Sequence, residues 1–173
     1  MINNQRTSAK FVISIDTELA WGSIYDEKIL EQKYDTFKKT RFAIEQILKL
    51  FEKYNISATW ALVGHLMLKN CRKEHGKKHP DVIRPQYSWY SKDWFHYDPC
   101  NRNEKNSVWY GDDILKKIID CKVPQEIGSH SFSHIMFGDK GCSSACAESD
   151  VKKWIEVASK YKIKPDSFVF PFN

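Results

Sequence analysis

Long hydrophobic runs are absent from this chain of 173 residues. No window approaches the roughly 18 consecutive apolar residues that a membrane-spanning helix requires. The first ten residues are polar and show neither the apolar core nor the small-residue cleavage site of a secretory signal. The sequence therefore predicts a cytoplasmic protein without a membrane span.

Paired cysteine motifs are also missing. The five cysteines are an odd number and include no CxxC pair. Without a secretory signal, the simplest expectation is that all five are reduced thiols. Cys142 and Cys146 are spaced as C-x3-C, so the alternative is that they add ligands to a structural zinc site.

A strong charge imbalance is the third absence, because the net charge is only +5. One local cluster of basic residues stands out, and a solvated loop explains it more simply than a nucleic-acid surface would. Its members are Lys69, Arg72, Lys73, Lys77 and Lys78. We therefore expect no nucleic-acid partner, and one globular domain that spans residues 1–173.

Strand and helix patterns alternate along most of the chain. Short β-branched runs predict strands over residues 10–15, 56–63, 125–130 and 167–170. Apolar residues at helical spacing predict helices over residues 35–54, 111–121 and 144–161. This alternation predicts an α/β fold with a parallel sheet and right-handed crossovers. Polar groups follow the strand ends, where open α/β sheets and barrels both place their sites.

An insertion at about residues 69–110 interrupts the alternation and is rich in aromatic residues beyond residue 85. A loop of this length in a domain is usually functional or has structure of its own. Its aromatic rings could stack on sugar rings at the mouth of a site. The simpler alternative is that these rings bury one another.

Two short motifs carry the candidate chemistry. His130 and His134 are four residues apart, so one tight turn can aim both imidazoles at the same point, as a metal requires. Asp16 and Glu18 share strand parity at the end of the first predicted strand. One carboxylate can ligate the metal while the other accepts a proton from water. Three protein ligands leave a coordination position open, which is typical of a catalytic site.

Both motifs also have ordinary structural alternatives. The two histidines could be satisfied core or surface residues, while Asp16 caps a turn and Glu18 is simply exposed. Among the other histidines, His65 could reach the site mouth or serve only in packing. The remaining three receive no functional role, since two lie in the charged loop, where we expect solvation, and one lies among the aromatics; they are His75, His79 and His96.

In their order and strand context, these motifs resemble those of the polysaccharide deacetylase family (carbohydrate esterase family 4). The similar stretches are residues 14–22, 58–64, 109–111 and 126–134, so the resemblance covers essentially the whole chain. It implies a distorted (β/α) barrel and a divalent metal, usually zinc, held by Glu18, His130 and His134. It also implies hydrolysis of an N-acetyl group from a sugar or polysaccharide, with Asp16 as general base and a metal-bound water as nucleophile.

Two departures from the family pattern qualify that expectation. Phe172 stands where this branch commonly has an arginine that orients the base. The family's last motifs, including a general-acid histidine, have no counterpart in the chain. We therefore expect an incomplete, C-terminally truncated barrel that retains metal binding more readily than turnover. Its unpaired strand edges would favour self-association.

Three rival functions remain at this point. The resembling families include enzymes that hydrolyse small cyclic amides or ureides with the same fold. A catalytically impaired glycan-binding module would be consistent with Phe172 and the missing motifs. An iron oxygenase with a two-histidine, one-carboxylate site is the third possibility, although the β/α alternation argues against its usual all-β fold.

Overall fold

The computed structural model describes residues 10–101 and 108–172. Their regular elements are five strands and four helices, joined in part by short 3-10 turns. The strands are β1 (Ser14–Thr17), β2 (Thr59–Leu62), β3 (Lys73–Glu74), β4 (Lys77–Lys78) and β5 (Glu126–Ser129). The helices are α1 (Glu27–Gln32), α2 (Tyr34–Tyr54), α3 (Asp112–Ile119) and α4 (Ser144–Ser159).

A three-stranded parallel sheet lies at the centre, in the order β1-β2-β5. Helices occupy the connections between its strands, as parallel pairing requires. The prediction of an α/β fold with a parallel sheet is therefore confirmed. Across the described residues the sheet is open, so the distorted barrel is not seen and remains a proposal.

The helix that precedes β2 shows how the sequence specifies these elements. Helix α2 buries Phe37, Ile44, Leu48 and Phe51, which recur along a single stripe. Asn55 ends the helix in the left-handed conformation (φ 52°), which asparagine tolerates better than most residues. The predicted helix at residues 35–54 is confirmed, including its end at residue 55.

The first and last predicted strands, over residues 10–15 and 167–170, differ from expectation. The first strand begins at Ser14 rather than at residue 10, and Phe11 is 91% exposed. Residues 167–170 form no regular strand; Phe168 makes a single parallel bridge to Ser129. Pairing is limited in both places: residues 167–169 exchange hydrogen bonds with β5 only at Ser129, and of residues 10–13 only Ile13 contacts β2, through its carbonyl, which accepts from Thr59 N.

The aromatic insertion packs largely against itself and the core. Tyr87, Trp94 and Phe95 are buried, whereas Trp89 remains 46% exposed. The hairpin β3–β4 accounts for part of the basic cluster, and its Lys78 is only half exposed because its ammonium donates to the carbonyls of residues 95 and 96. The self-packed alternative therefore describes most of this segment.

A disulfide joins Cys71 to Cys100 across the insertion. The expectation of five reduced thiols is therefore wrong for this pair, because residues 29 positions apart are brought together by the folding of the insertion. Cys142 and Cys146 are free thiols, and neither belongs to a group of potential metal ligands among the described residues. Within the same residues, no helix is both long and apolar enough to cross a membrane.

Candidate metal centre

Glu18, His130 and His134 converge on one point at the end of the sheet. The Oε2 atom of Glu18 lies 2.7 Å from Nε2 of His134 and 3.3 Å from Nε2 of His130. Both histidines are buried, whereas the Glu18 side chain is 34% exposed. The structure thus brings together all three predicted ligands, with one side of the group open to solvent. That they bind an ion remains a prediction.

The strand order explains this convergence. Glu18 follows β1 and His130 follows β5, and both strands are parallel to the β2 strand between them. Their carboxyl ends therefore meet at the same edge of the sheet, where α/β proteins usually place functional groups. We call residues 130–134, which carry both histidines, the histidine turn. The backbone N–H of His130 donates to Leu62 O at 3.1 Å, and this bond fixes the start of the turn against β2.

Backbone strain accompanies the ligands. Leu19, Ser131 and His134 have positive φ values of 50°, 60° and 55°. Each such conformation costs about 1–3 kcal/mol in a residue other than glycine and persists only where the surrounding structure enforces it. The chain accepts this cost next to Glu18, next to His130 and at His134 itself, which is the pattern expected of a functional turn.

Asp150 holds the backbone of the histidine turn in place through hydrogen bonds. This fully buried carboxylate on α4 accepts hydrogen bonds from Phe132 N (2.6 Å), Ser133 N (3.1 Å) and Ser133 Oγ (2.6 Å). Burial raises the pKa of Asp150 to about 6, although these hydrogen bonds oppose the shift. Sequence analysis missed this residue. The available signal was an acidic residue on the apolar stripe of a helix, four positions from both Cys146 and Trp154.

Gly22 makes room for the Glu18 carboxylate. A Cβ atom at Gly22 would lie 1.9 Å from Glu18 Oε1 and 2.3 Å from Cδ. Only a residue without a side chain lets the carboxylate lie against this backbone. Gly22 was likewise not identified from the sequence, since its role depends on where a side chain four residues earlier turns.

The donor set fits a divalent transition metal. Burial raises the pKa of Glu18, but hydrogen bonds and charge from the two imidazoles in their protonated form outweigh it and hold the pKa at about 2, so the carboxylate is ionised; a bound ion would take the place of those Nε2 protons. The Nδ1 of His130 lies 2.9 Å from Val169 O. Donating a proton there leaves Nε2 with a lone pair for an ion, the usual arrangement of ligating histidines. Ligand atoms of a tetrahedral zinc site are about 3.3 Å apart, given Zn–N bonds of 2.0–2.1 Å.

Asp16 is placed differently from the parity prediction. Strand β1 ends at Thr17, and Glu18 reaches the histidines through the turn that follows. The Asp16 side chain is exposed and does not belong to the cluster of ligand atoms within 4.8 Å of one another. The structure therefore leaves its role as general base untested.

Aromatic rings extend from this centre towards the surface. Measured between ring centroids, Phe172 lies 4.6 Å from His134 and 5.4 Å from Tyr25. Tyr25 in turn lies 6.0 Å from the exposed Trp89, whose indole N–H donates to Asp139 at 3.0 Å. We call Tyr25, Trp89 and Phe172 the aromatic rim.

Comparison with known proteins adds no assignment. No family model matches the chain, and no curated protein matches it significantly. The resemblance to polysaccharide deacetylases therefore rests on the motifs and their placement alone.

Proposed function

We propose that the chain is a metal-dependent hydrolase of the polysaccharide deacetylase type, which removes N-acetyl groups from a sugar or polysaccharide. The convergence of Glu18, His130 and His134 at the carboxyl ends of parallel strands is the observation that carries this proposal. In this proposal the open sheet is part of the distorted (β/α) barrel of that family. The metal is zinc, because two imidazoles and one carboxylate suit it.

Each residue has a defined task in the proposed reaction. Glu18, His130 and His134 hold the ion, which when bound supplies a Lewis acid that polarises an amide carbonyl and acidifies a coordinated water. Asp16, which is exposed and lies two residues before the ligand Glu18, accepts the proton of the attacking water on its carboxylate. Asp150 acts as a positioning residue, because it fixes the backbone of the histidine turn without touching the ligand atoms.

The aromatic rim supports a sugar as substrate. Its rings form a continuous apolar wall from His134 to the surface. Sugar rings present apolar C–H faces that pack on such walls. Trp89 is 46% exposed, although Tyr87 stacks on one of its faces, and it is therefore available for this contact, whereas Trp94 and Phe95 are buried.

The test is acetate release by zinc-loaded protein from a panel of N-acetylated sugars and oligosaccharides. The matched control is Asp16→Asn at equal zinc content, which removes the proposed base and leaves the three ligands in place. We expect release by the wild type and its loss in the variant with zinc retained. Zinc-loaded protein that releases no acetate from any member of the panel would refute the substrate class.

A second candidate is a glycan-binding module without hydrolysis. The ring of Phe172 against His134 favours it, because it narrows access to one side of the centre. This candidate predicts retention of a glycan that is unaffected by a chelator and produces no acetate. Including small cyclic amides and ureides in the same panel also tests the remaining hydrolase alternative.

A further inference from the structure

A second group of potential metal ligands lies beneath the histidine turn. His65 Nε2 is 3.1 Å from His79 Nε2 and 3.1 Å from Asp98 Oδ2, and His79 Nε2 is 2.9 Å from the same oxygen. All three side chains are buried, with at most 2% of their surface exposed. His79 was expected to be solvated in the charged loop. That expectation is wrong, because the β3–β4 hairpin folds it into the core.

The outer atoms of His65 and Asp98 already have partners. His65 Nδ1 is 3.3 Å from Trp109 O, to which it can donate. Asp98 Oδ1 accepts from the Tyr110 hydroxyl at 2.9 Å and from Cys100 N at 2.8 Å. One atom from each residue faces the other two: His65 Nε2, His79 Nε2 and Asp98 Oδ2 form a nearly equilateral triangle.

Protons alone satisfy this triangle poorly. An imidazole nitrogen has a single in-plane direction, which holds either a proton or a lone pair. If both Nε2 atoms carry protons, both donate to the same Asp98 oxygen while the two donor nitrogens are only 3.1 Å apart. If either is bare, its lone pair faces the Asp98 carboxylate. A cation bound by the three atoms interacts favourably with every one of them.

The surroundings are those of a closed site. Aromatic rings enclose the two imidazoles: Trp21 lies 4.2 Å from His65, and Phe95 lies 4.6 Å from His79, measured between ring centroids. Trp21 and Phe95 are themselves fully buried. Among the described residues these rings and the burial of all three side chains leave no opening for a substrate, so an ion here would have a structural role.

We propose that His65, His79 and Asp98 bind a structural divalent transition-metal ion. Zinc is the best match, because two imidazoles and a carboxylate suit it and the separations of 2.9–3.1 Å approach the edge of about 3.3 Å in a tetrahedral zinc site. The three protein atoms would fill three of the four positions of a tetrahedral site. This site is separate from the proposed catalytic centre, and the inference does not depend on the deacetylase function.

The ion would fasten the insertion to the sheet. His65 belongs to the 3-10 turn after β2, His79 follows β4, and Asp98 lies two residues before Cys100 of the disulfide. Phe132, inside the histidine turn, packs at 5.8 Å from the His65 ring and 5.5 Å from the His79 ring, and its carbonyl accepts from His65 N at 2.9 Å. Losing the ion would therefore loosen the support of the catalytic centre as well.

The test begins from Glu18→Ala/His134→Ala protein, in which the exposed centre is removed. Elemental analysis of this untagged protein, after dialysis against a chelator, is expected to find about one equivalent of zinc per chain. Zinc should leave on denaturation with chelator and return on refolding with zinc. X-ray absorption should then report two imidazoles and an oxygen ligand.

A third substitution identifies the ligands. His79→Gln in the same background is expected to lose the retained ion, whereas His75→Gln, which removes an exposed imidazole from the same hairpin, should keep it. The proposal is overturned if the background protein shows a folded near-ultraviolet spectrum but holds less than about 0.1 equivalent of metal. The metal content is measured in the background protein as purified and again after it is refolded with zinc, cobalt or manganese. Failure would leave the exposed centre, which is absent from this background, unaffected.

Discussion

Gly22→Ala tests whether the missing side chain at residue 22 is what lets the Glu18 carboxylate lie at the exposed centre, beside His130 and His134. The added Cβ would lie 1.9 Å from Glu18 Oε1, while ordinary contacts begin at 3.4 Å. The carboxylate must therefore move by about 1.5 Å, the difference between these distances. Metal–ligand bonds tolerate deviations of only about 0.2 Å. We expect Glu18 to cease to be a ligand while the fold is preserved.

The magnitude follows from that loss. Removing a group that merely orients a ligand weakens metal affinity by about 10–100-fold, so loss of the ligand itself should cost at least about 100-fold, or about 2.7 kcal/mol. The free energy of unfolding of the metal-free protein should change little, because Gly22 is not among the residues with positive φ and Glu18 can swing into solvent.

Competition with a chromophoric chelator measures this affinity for the accessible centre. Gly138→Ala is the matched control, because a Cβ at Gly138 meets nothing within 4 Å. It should bind zinc as the wild type does. If Gly22→Ala binds zinc within about threefold of the wild type, then Glu18 either is not a ligand or is not confined by Gly22, and the geometric argument fails.

Three further predictions concern other parts of the structure. Burial raises the pKa of Asp150 from 3.8 to about 6, so the folded state holds this proton more tightly than the unfolded chain. Stability should therefore fall by up to about 3 kcal/mol as pH rises from about 4 to 6, and urea titrations of Asp150→Asn should lack this component. Thiol titration in denaturant should find three reactive cysteines, and replacing Cys71 and Cys100 by serine should lower the free energy of unfolding by about 2–4 kcal/mol; five reactive thiols would contradict the disulfide. Trp89→Ala should weaken glycan binding by about 1 kcal/mol in calorimetry without changing zinc affinity, and unchanged glycan binding would exclude Trp89 from the rim's function.

Periodicity and the order of motifs were sufficient to predict the framework of the exposed centre. The apolar stripe of α2 and the short runs at β2 and β5 specify a parallel sheet, and residues after parallel strands must meet at one edge. This is why Glu18 and His130 could be paired from a sequence in which they lie far apart. The hydrophobic pattern of each segment predicts only that segment. The parallel order of the strands then predicts which residues, distant in sequence, lie close together.

The supporting residues could not be found in the same way. Asp150 acts through the backbone of a turn on another element, and Gly22 through the path of one side chain. The second cluster depends on an insertion without a regular period, so no pattern places His79 beside His65. The edge strands failed for a different reason: a β-branched run predicts a strand, but pairing also needs a neighbouring strand, and among the described residues 10–13 only Ile13 hydrogen-bonds to one.

Backbone strain argues that both clusters are specified by the fold. In the described part of the chain, nine residues other than glycine have positive φ. Three of them have ordinary roles in reversing the chain, after α2, between β3 and β4, and after α4; they are Asn55, His75 and Lys162. The other six adjoin or contact the two clusters: Leu19, His79, Cys100, Ser131, His134 and Phe172. At about 1–3 kcal/mol each, such strain is retained only where surrounding interactions enforce it. Strain of this kind clusters at functional sites, so its concentration around both clusters supports the proposal that each binds a cation.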